Sequence, residues 1–558
     1  MSATTSDSFF RFPLPPSLSL PAMHSDSGHT TSVWMANTEV PQFQPLTQDV
    51  RTNVCIIGAG IAGMTTAYLL ARAGRAVVLI DDGPIGGGET SRTTAHLTAA
   101  LDDRYYNIAR VHGDDGARLA AESHMSAIHR IETIASMEDI DCDFERLEGY
   151  LFLGGDSQRK DLERELEATH RAGINDTQLV DRIPFSFWDS GPALRFPRQA
   201  TIHPLKYLKG LARAILRDGG KIYSGVHAEK IEDGEPARVT TRDGYVISAD
   251  NVVVCTNTPV NDWLIIHSKQ AAYRTYVIGA RVPRGSVPHG LYWDTPDPYH
   301  YVRLQDAEDS SGRELDYEYL IVGGEDHKTG QANDMAERFT RLETWTRERF
   351  PMVERIEYHW SGQVMEPVDY MAYIGKNPGG DEHIYVATGD SGNGMTHGTI
   401  AGIILNELVQ GRKHQWAKLY DPSRVKLRAT PEYLKENANV AEQYKDWFTT
   451  GDVDEFAKIK PGEGAVVGRG RGKVAVYRDE RGTYHQRSAV CTHLYCIVHW
   501  NDTEKTWDCP CHGSRFDPYG NVVNGPAIVG LSVLGSEAKE AQEESAKKKP
   551  RKKTGAKR

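Results

Sequence analysis

The segment VCIIGAGIAGMTTAYLLARAGRAVVLID, Val54 to Asp81, decides the fold. A short apolar, β-branched run (Val54–Ile57) reads as a strand. GAGIAG follows, placing Gly58, Gly60 and Gly63 in the G-x-G-x-x-G spacing, and a helical pattern then runs to Gly74. A second strand, Ala76–Ile80, ends at Asp81. Together they make a βαβ unit with its acid about 20 residues beyond the glycines, the arrangement that binds a dinucleotide. Gly58 permits the tight turn, Gly60 lets backbone approach a pyrophosphate beside Ala59, and Gly63 lets helix pack on strand. The helix N-terminus faces the phosphates, and Asp81 is placed to accept ribose hydroxyls. This unit alone does not separate FAD from NAD.

Around this unit lies a chain of 558 residues, enough for three or four domain-sized parts. Its 39% hydrophobic and 25% charged residues suit a folded protein rather than a disordered one. Lys and Arg number 65 against 76 Asp and Glu, a net charge of −11. Eight of those cations fall in Lys547–Arg558, so Met1–Ala546 holds 57 against 76, a net −19. An acidic body with a short basic tail argues against nucleic-acid binding. Mean hydropathy is −0.50, and no apolar run approaches the roughly 18 residues of a membrane span. Residues 1–33, rich in Ser, Thr and Pro, read as a disordered tail; Met23 and Met35 are alternative starts. The tail lacks a basic n-region, a continuous apolar stretch and a twin arginine, which points to the cytoplasm. Residues 537–558 read as a basic disordered tail.

Two further glycine-rich loops narrow the cofactor. DGPIGGGETSRTTAHLTAA follows Asp81, and IYVATGDSGNGMTHGTIAGIILNEL carries a strand (Ile384–Ala387), a loop with Gly389, Gly392 and Gly394, and an apolar helix (Ile400–Leu408). A helix N-terminus there could stabilise negative charge on a reduced flavin. Val252–Cys255 reads as a strand returning to the nucleotide fold. These motifs resemble the FAD-dependent oxidoreductases of the D-amino-acid oxidase, glycine oxidase and sarcosine oxidase superfamily, over about Thr52–Gln410. The resemblance implies an α/β FAD-binding Rossmann-like domain interleaved with an antiparallel-sheet substrate domain, together spanning residues 34–429. Tyr273–Val282 and Tyr317–Gly324 suit its strands. It also implies FAD contacts from Ser91, Arg92, Thr93, Thr94 and His96, from Met395 beside the third glycine loop, and from Val226 on the strand after the helix HPLKYLKGLARAILRDGG.

One departure bears on substrate. Amino-acid oxidases of this superfamily commonly carry a Trp-x-Gly…Arg-Pro segment whose arginine holds the substrate carboxylate. Here WSGQVMEPVDYMAYIG (Trp360–Gly375) has Val364 or Met365 at that place, so the bidentate clamp is missing. Arg303, Arg274 and His203 are candidate replacements, with ordinary structural residues as the alternative. His96 reads as flavin-adjacent or structural rather than as a covalent tether. Cys55, Cys142 and Cys255 read as buried, inert thiols.

A helical linker is expected over 430–455, with Thr430 as N-cap and Pro431 at the first helical position. GRGRG (Gly468–Gly472) precedes a strand rather than a helix and reads as a hairpin turn. Then comes CTHLYC…CPCHGS. Cys491 and His493 form C-x-H, Cys509 and His512 form C-x-x-H, and fifteen residues separate the motifs. Two Cys and two His could hold zinc, but each loop offering one thiolate and one imidazole suits a Rieske [2Fe–2S] cluster better. The module resembles the small all-β Rieske domains of cytochrome bc complexes, over about Phe456–Leu534 within a domain assigned to 456–536. That resemblance implies a Cys496–Cys511 disulfide, a hydroxyl from Ser514 to the cluster, and a covering loop at Asn524–Ala527. Two positions depart from it: Tyr495 replaces a usual Gly, and Phe516 a cluster-bonding Tyr.

A flavin takes two electrons and a Rieske cluster moves one. The combination resembles bacterial fusions of a D-amino-acid-oxidase-like domain with a C-terminal Rieske domain. The expected function is an FAD-dependent dehydrogenase: a small amine or amino-acid-like substrate reduces FAD, and the cluster passes electrons singly to an external acceptor. The alternatives are an NAD(P)H-fed reductase and a non-catalytic redox-sensing or assembly protein.

Overall fold

The structure is a computed structural model that describes residues 27–261, 265–309 and 311–535. The expected basic tail and the first 26 residues lie outside these. An eight-stranded sheet carries the nucleotide fold. Its five parallel strands run, in spatial order, Ile384–Thr388, Val246–Val254, Val50–Ile57, Val77–Ile80 and Lys221–Tyr223. Val54–Ile57 and Val77–Ile80 are buried at every residue, as parallel strands covered on both faces must be. Helix Ile61–Arg72 packs on helix Gly394–Val409, where a Cβ on Gly398 or Gly402 would fall 2.6 Å from Ile61 or 2.5 Å from Thr65. The second helix starts at Gly394 rather than Ile400, so the last glycine of the third glycine loop opens the helix's first turn.

A nine-stranded sheet forms the second layer, centred on the long strands Gln270–Pro283, Glu314–Lys328 and Arg355–Pro367. It is mixed rather than purely antiparallel: Leu291–Asp294 runs parallel to Gly149–Phe152. Val226 also differs from expectation. It follows strand Lys221–Tyr223 instead of lying on it, and its N–H donates to Asp81 O at 2.8 Å.

Helix Thr430–Gln443 begins one residue earlier than its capping pattern suggested, with Ala429 as N-cap. It leads to two small antiparallel sheets, Glu463–Val467/Val474–Arg478/Tyr484–Ser488 and His499–Asn501/Thr506–Asp508/Arg515–Phe516/Val522–Asn524. GRGRG lies in the connection between the first two, antiparallel strands, where Gly470–Gly472 form one 3-10 turn. The expected tail 1–33 is corrected over its described part. Ser27 and Ser32 are buried, and residues 27–32 pass between the two domains as a strap. Ser27 O accepts from Arg515 at 2.7 Å, Thr30 Oγ1 donates to Glu504 at 2.6 Å, and Ser32 Oγ donates to Ser91 O at 2.6 Å. Small hydroxyl residues that look solvent-loving in sequence here satisfy buried partners.

Candidate active site and metal centre

A deep cavity opens where the parallel strands end. Gly58, Gly60, Asp81, Thr93, Thr94, His96, Val226, Gly392, Gly394 and Met395 line it. Ala59, Gly63, Ser91 and Gly389 do not; they shape it from behind. A Cβ on Gly58 would lie 2.4 Å from Cys255 O, and one on Gly63 1.9 Å from Gly58 O, so strand, turn and helix close up only with glycine. Asp81 accepts from the N–H groups of Ala59 (2.5 Å) and Gly83 (2.8 Å), which fixes its carboxylate at the cavity edge. Arg92 borders the cavity, but its guanidinium donates to Thr30, to Ser361 O at 2.8 Å and to Glu504 at 3.2 Å. Its charge therefore serves the domain contact.

The residues present fit a bound FAD. The cradle is built for close backbone approach, and His96 Nε2 is buried without a hydrogen-bond partner among the described residues. Burial, with Arg303 nearby, pushes the His96 imidazole down to about 3, so it is neutral at physiological pH. Cys55, Cys142 and Cys255 are buried, and burial raises each thiol to about 12.

None of the three candidates for a carboxylate clamp lines the cavity. Arg303 is buried and spends its donors on Thr94 O, Ala95 O, Ile202 O and Gln305. Arg274 faces Glu504, and His203 caps helix Pro204–Arg217. The wall that sequence reasoning missed is acidic and aromatic: Asp102, Asp326 and Glu366 beside Trp293, Tyr299 and Tyr301. Asp102 accepts from Tyr299 at 2.7 Å and Glu366 from Ser391 at 2.9 Å. Burial raises all three carboxyls, Asp326 to about 7. These residues come from separate segments, so no local motif announces them.

In the C-terminal domain, Cys491, His493, Cys509 and His512 are all buried and meet at the ends of two loops. The two imidazole rings lie 5.0 Å apart. Cys491 is held below the ordinary thiol value by Cys509, by the N–H groups of His493 and Leu494 and by the Ser514 hydroxyl, against burial. His512 Nδ1 is buried with no hydrogen-bond partner among the described residues, as a nitrogen meant for a metal would be. Two thiols and two imidazoles converging this way fit a [2Fe–2S] cluster with one iron ligated by each pair. Cys496 and Cys511 form the disulfide between the loops. Ser514 Oγ also accepts from Ala527 N at 3.0 Å, tying down the covering loop.

The two sites share a wall. Val522, Val523, Asn524, Gly525 and Ala527 of the C-terminal domain line the nucleotide cavity. His493 packs edge-on against His267 of the flavin side, with ring centroids 5.3 Å apart.

A dinucleotide cradle beside an acidic and aromatic wall, joined to a two-Cys, two-His centre, defines a flavin–iron–sulfur oxidoreductase. The chain belongs to the FAD dependent oxidoreductase (DAO) family, which matches residues 53–408, and the Rieske [2Fe-2S] domain matches 446–534. It thus binds FAD and a [2Fe–2S] cluster. It is 35% identical over 504 residues to YhfW of Bacillus subtilis (strain 168), described as a Rieske 2Fe-2S iron-sulfur protein; the match covers 90% of this chain and 97% of that one. It is 28% identical to gamma-glutamylputrescine oxidoreductase of Escherichia coli (strain K12), over 69% of this chain and 89% of that one. Glycine oxidase from Geobacillus kaustophilus shares the fold, with a TM-score of 0.56 at 17% identity, over 67% of this chain and 99% of that one. No helix among the described residues is long and apolar enough to cross a membrane.

Proposed function

We propose that the protein dehydrogenates a cationic amine and releases the electrons singly, through its own Rieske cluster, to an external one-electron acceptor. The observation that carries this reading is the shared wall: the loop covering the cluster, Asn524–Ala527, also closes the flavin cavity. FAD supplies two-electron chemistry and the cluster one-electron chemistry. An amine that loses two electrons and two protons leaves as an imine, which water hydrolyses, and two equivalents of the acceptor are consumed.

The chamber favours an ammonium over a carboxylate. Among the described residues lining it, Arg92 is the only Lys or Arg, and that group is paired with Glu504. Asp102, Asp326 and Glu366 are carboxyls that an incoming cation draws towards ionisation against their burial, and the three aromatic rings offer π-faces to a cation. The name of the relative gamma-glutamylputrescine oxidoreductase points to the same substrate class. The test is anaerobic mixing of the loaded protein with amines, amino acids and NADH, following flavin bleaching and the EPR signal of the reduced cluster. Amines should reduce both centres. Reduction by NADH alone would instead make the protein a reductase, and reduction by neither would favour a non-catalytic role.

A further inference from the structure

We infer that Gln363 is a positioning residue that holds the cluster's histidine loop and its covering loop against the flavin cavity, so that electrons cross a fixed contact with no swing of the Rieske domain. This rests on the reading that flavin and cluster exchange electrons. Gln363 lies on strand Arg355–Pro367, is buried, and lines the cavity. Its backbone N–H donates to Glu89 at 2.7 Å, and its Oε1 accepts from Thr329 at 3.2 Å. Its Nε2 donates to Gly513 O at 3.0 Å and to Asn524 Oδ1 at 3.4 Å. Gly513 adjoins His512, and Asn524 opens the covering loop, so one amide nitrogen bonds both loops at once.

The contact is close as well as bonded. Gly513 has φ +75°, and a Cβ there would fall 2.3 Å from Ala272 Cβ on the flavin-side sheet. Asn524 Nδ2 donates to Glu89 Oε1 at 3.2 Å, which closes a ring of bonds through Glu89 and back to Gln363. His493 and His512 are buried beneath this contact, at 3% and 6% exposure. Neither imidazole presents an open face to solvent while the domains stay together. With both groups bound, this contact would let a two-electron donor on one side be drained one electron at a time on the other, each electron going on to the external acceptor.

Other bonds hold the domains together, among them Arg92–Glu504 and Gln331–Pro510. Removing the Gln363 amide should therefore loosen the gap without undocking the domain. The experiment uses the full chain loaded with FAD and cluster, flash-reduced with deazariboflavin and EDTA, and follows flavin reoxidation against cluster reduction. In Gln363→Leu and in Gln363→Met, neither of which carries a side-chain N–H donor, internal transfer should slow by about tenfold or more, the scale expected of a slight misplacement. Both midpoint potentials are measured alongside and should stay near their original values. In the unaltered protein the rate should be independent of added glycerol.

Unchanged rates in both variants, or a rate that falls in proportion to viscosity as a swinging domain requires, would overturn the inference. If a variant fails to take up either cofactor, the viscosity series on the unaltered protein decides alone. The reading it rests on fails differently: the unaltered protein would then show no transfer from flavin to cluster at all.

Discussion

Arg92 of the flavin-side loop and Glu504 of the Rieske domain form an ion pair, Nη1 to Oε1 3.2 Å, with both side chains fully buried. Glu504 also accepts from Thr30 and Ser361 and faces Arg274 at 3.7 Å. Burial pushes its carboxyl up, yet Arg92, Arg274 and Arg515 together hold it below the usual carboxylate range. Two domains and the N-terminal strap thus meet on one carboxylate.

Glu504→Gln leaves these guanidinium groups short of a counter-charge in a buried interface. Breaking one side of a buried pair costs about 3–5 kcal/mol. The variant should unfold at markedly lower temperature at pH 7 and expose the linker Thr430–Phe448 to protease. Because the folded carboxyl sits below its unfolded value, its stabilisation is complete above the ordinary glutamate range and is lost as pH falls through and below it. The variant should therefore lose less stability on acidification than the unaltered protein. Equal melting temperatures at pH 7 would remove Glu504 from this role.

The strap makes its own prediction. Gly28 has φ +140°, and a Cβ there would lie 2.2 Å from Glu504 Oε2. Gly28→Ala must displace either the strap or the carboxylate, at about 1–3 kcal/mol for strained backbone. Ser27→Ala, which loses a 2.6 Å bond to Glu89, should cost less. Calorimetry that ranks Ser27→Ala as the more damaging change would contradict this account of the strap.

The strap also marks where the sequence stopped being legible. Val54–Asp81 and the CTHLYC and CPCHGS loops could be read because their chemistry is set by spacing within a few residues. Glycine turns and paired ligands leave local signatures. The interdomain bonds do not: Glu89 and Asn524 are 435 positions apart, and nothing near either residue names the other. The acidic chamber was hidden for the same reason, since Asp102, Asp326 and Glu366 lie far apart in the chain. Arg303 and His203 misled because a polar residue on a strand or before a helix looks alike whether it faces a ligand or, as Arg303 does, donates to buried carbonyls or, as His203 does, accepts from a first-turn N–H of a helix.

Asp326 should govern amine binding. Burial raises its carboxyl to about 7, so it is protonated below that pH and ionised above it. A cationic amine binds the ionised form, so affinity should rise as pH increases through about 7. Asp326→Asn should flatten this rise and raise the KM for amines about tenfold, equivalent to about 1.4 kcal/mol of lost binding. Flavin reduction by dithionite should be unaffected. Steady-state kinetics across this pH range test it, and an unaltered pH profile in Asp326→Asn would assign the cation to another group.

Tyr495 occupies the left-handed region at φ +61° and is 60% exposed. A bulky residue there carries about 1–2 kcal/mol of backbone strain, while its side chain buries little that substitution would forfeit. Gly relieves the strain but adds unfolded-state entropy. Tyr495→Gly should thus gain roughly 0.5–1 kcal/mol, and Tyr495→Ala, which keeps a Cβ, should gain nothing. Thermal unfolding of the loaded protein separates the two; equal stabilities would mean the loop does not hold this strain.

Phe516 shows how a single missing atom can set the electron's downhill path. It is fully buried on strand Arg515–Phe516 and packs in the same apolar cluster as Cys491 and Cys509. With no hydroxyl, it offers no hydrogen bond to the cluster, and such bonds favour the reduced, more negative state. Phe516→Tyr should raise the midpoint potential in an EPR-monitored titration. The electron would then be held more tightly: cluster reduction by flavin becomes more favourable while onward transfer to a fixed acceptor slows. A potential that stays put or falls would show that the new hydroxyl does not reach the cluster, and that another residue sets the electron's energy at this step.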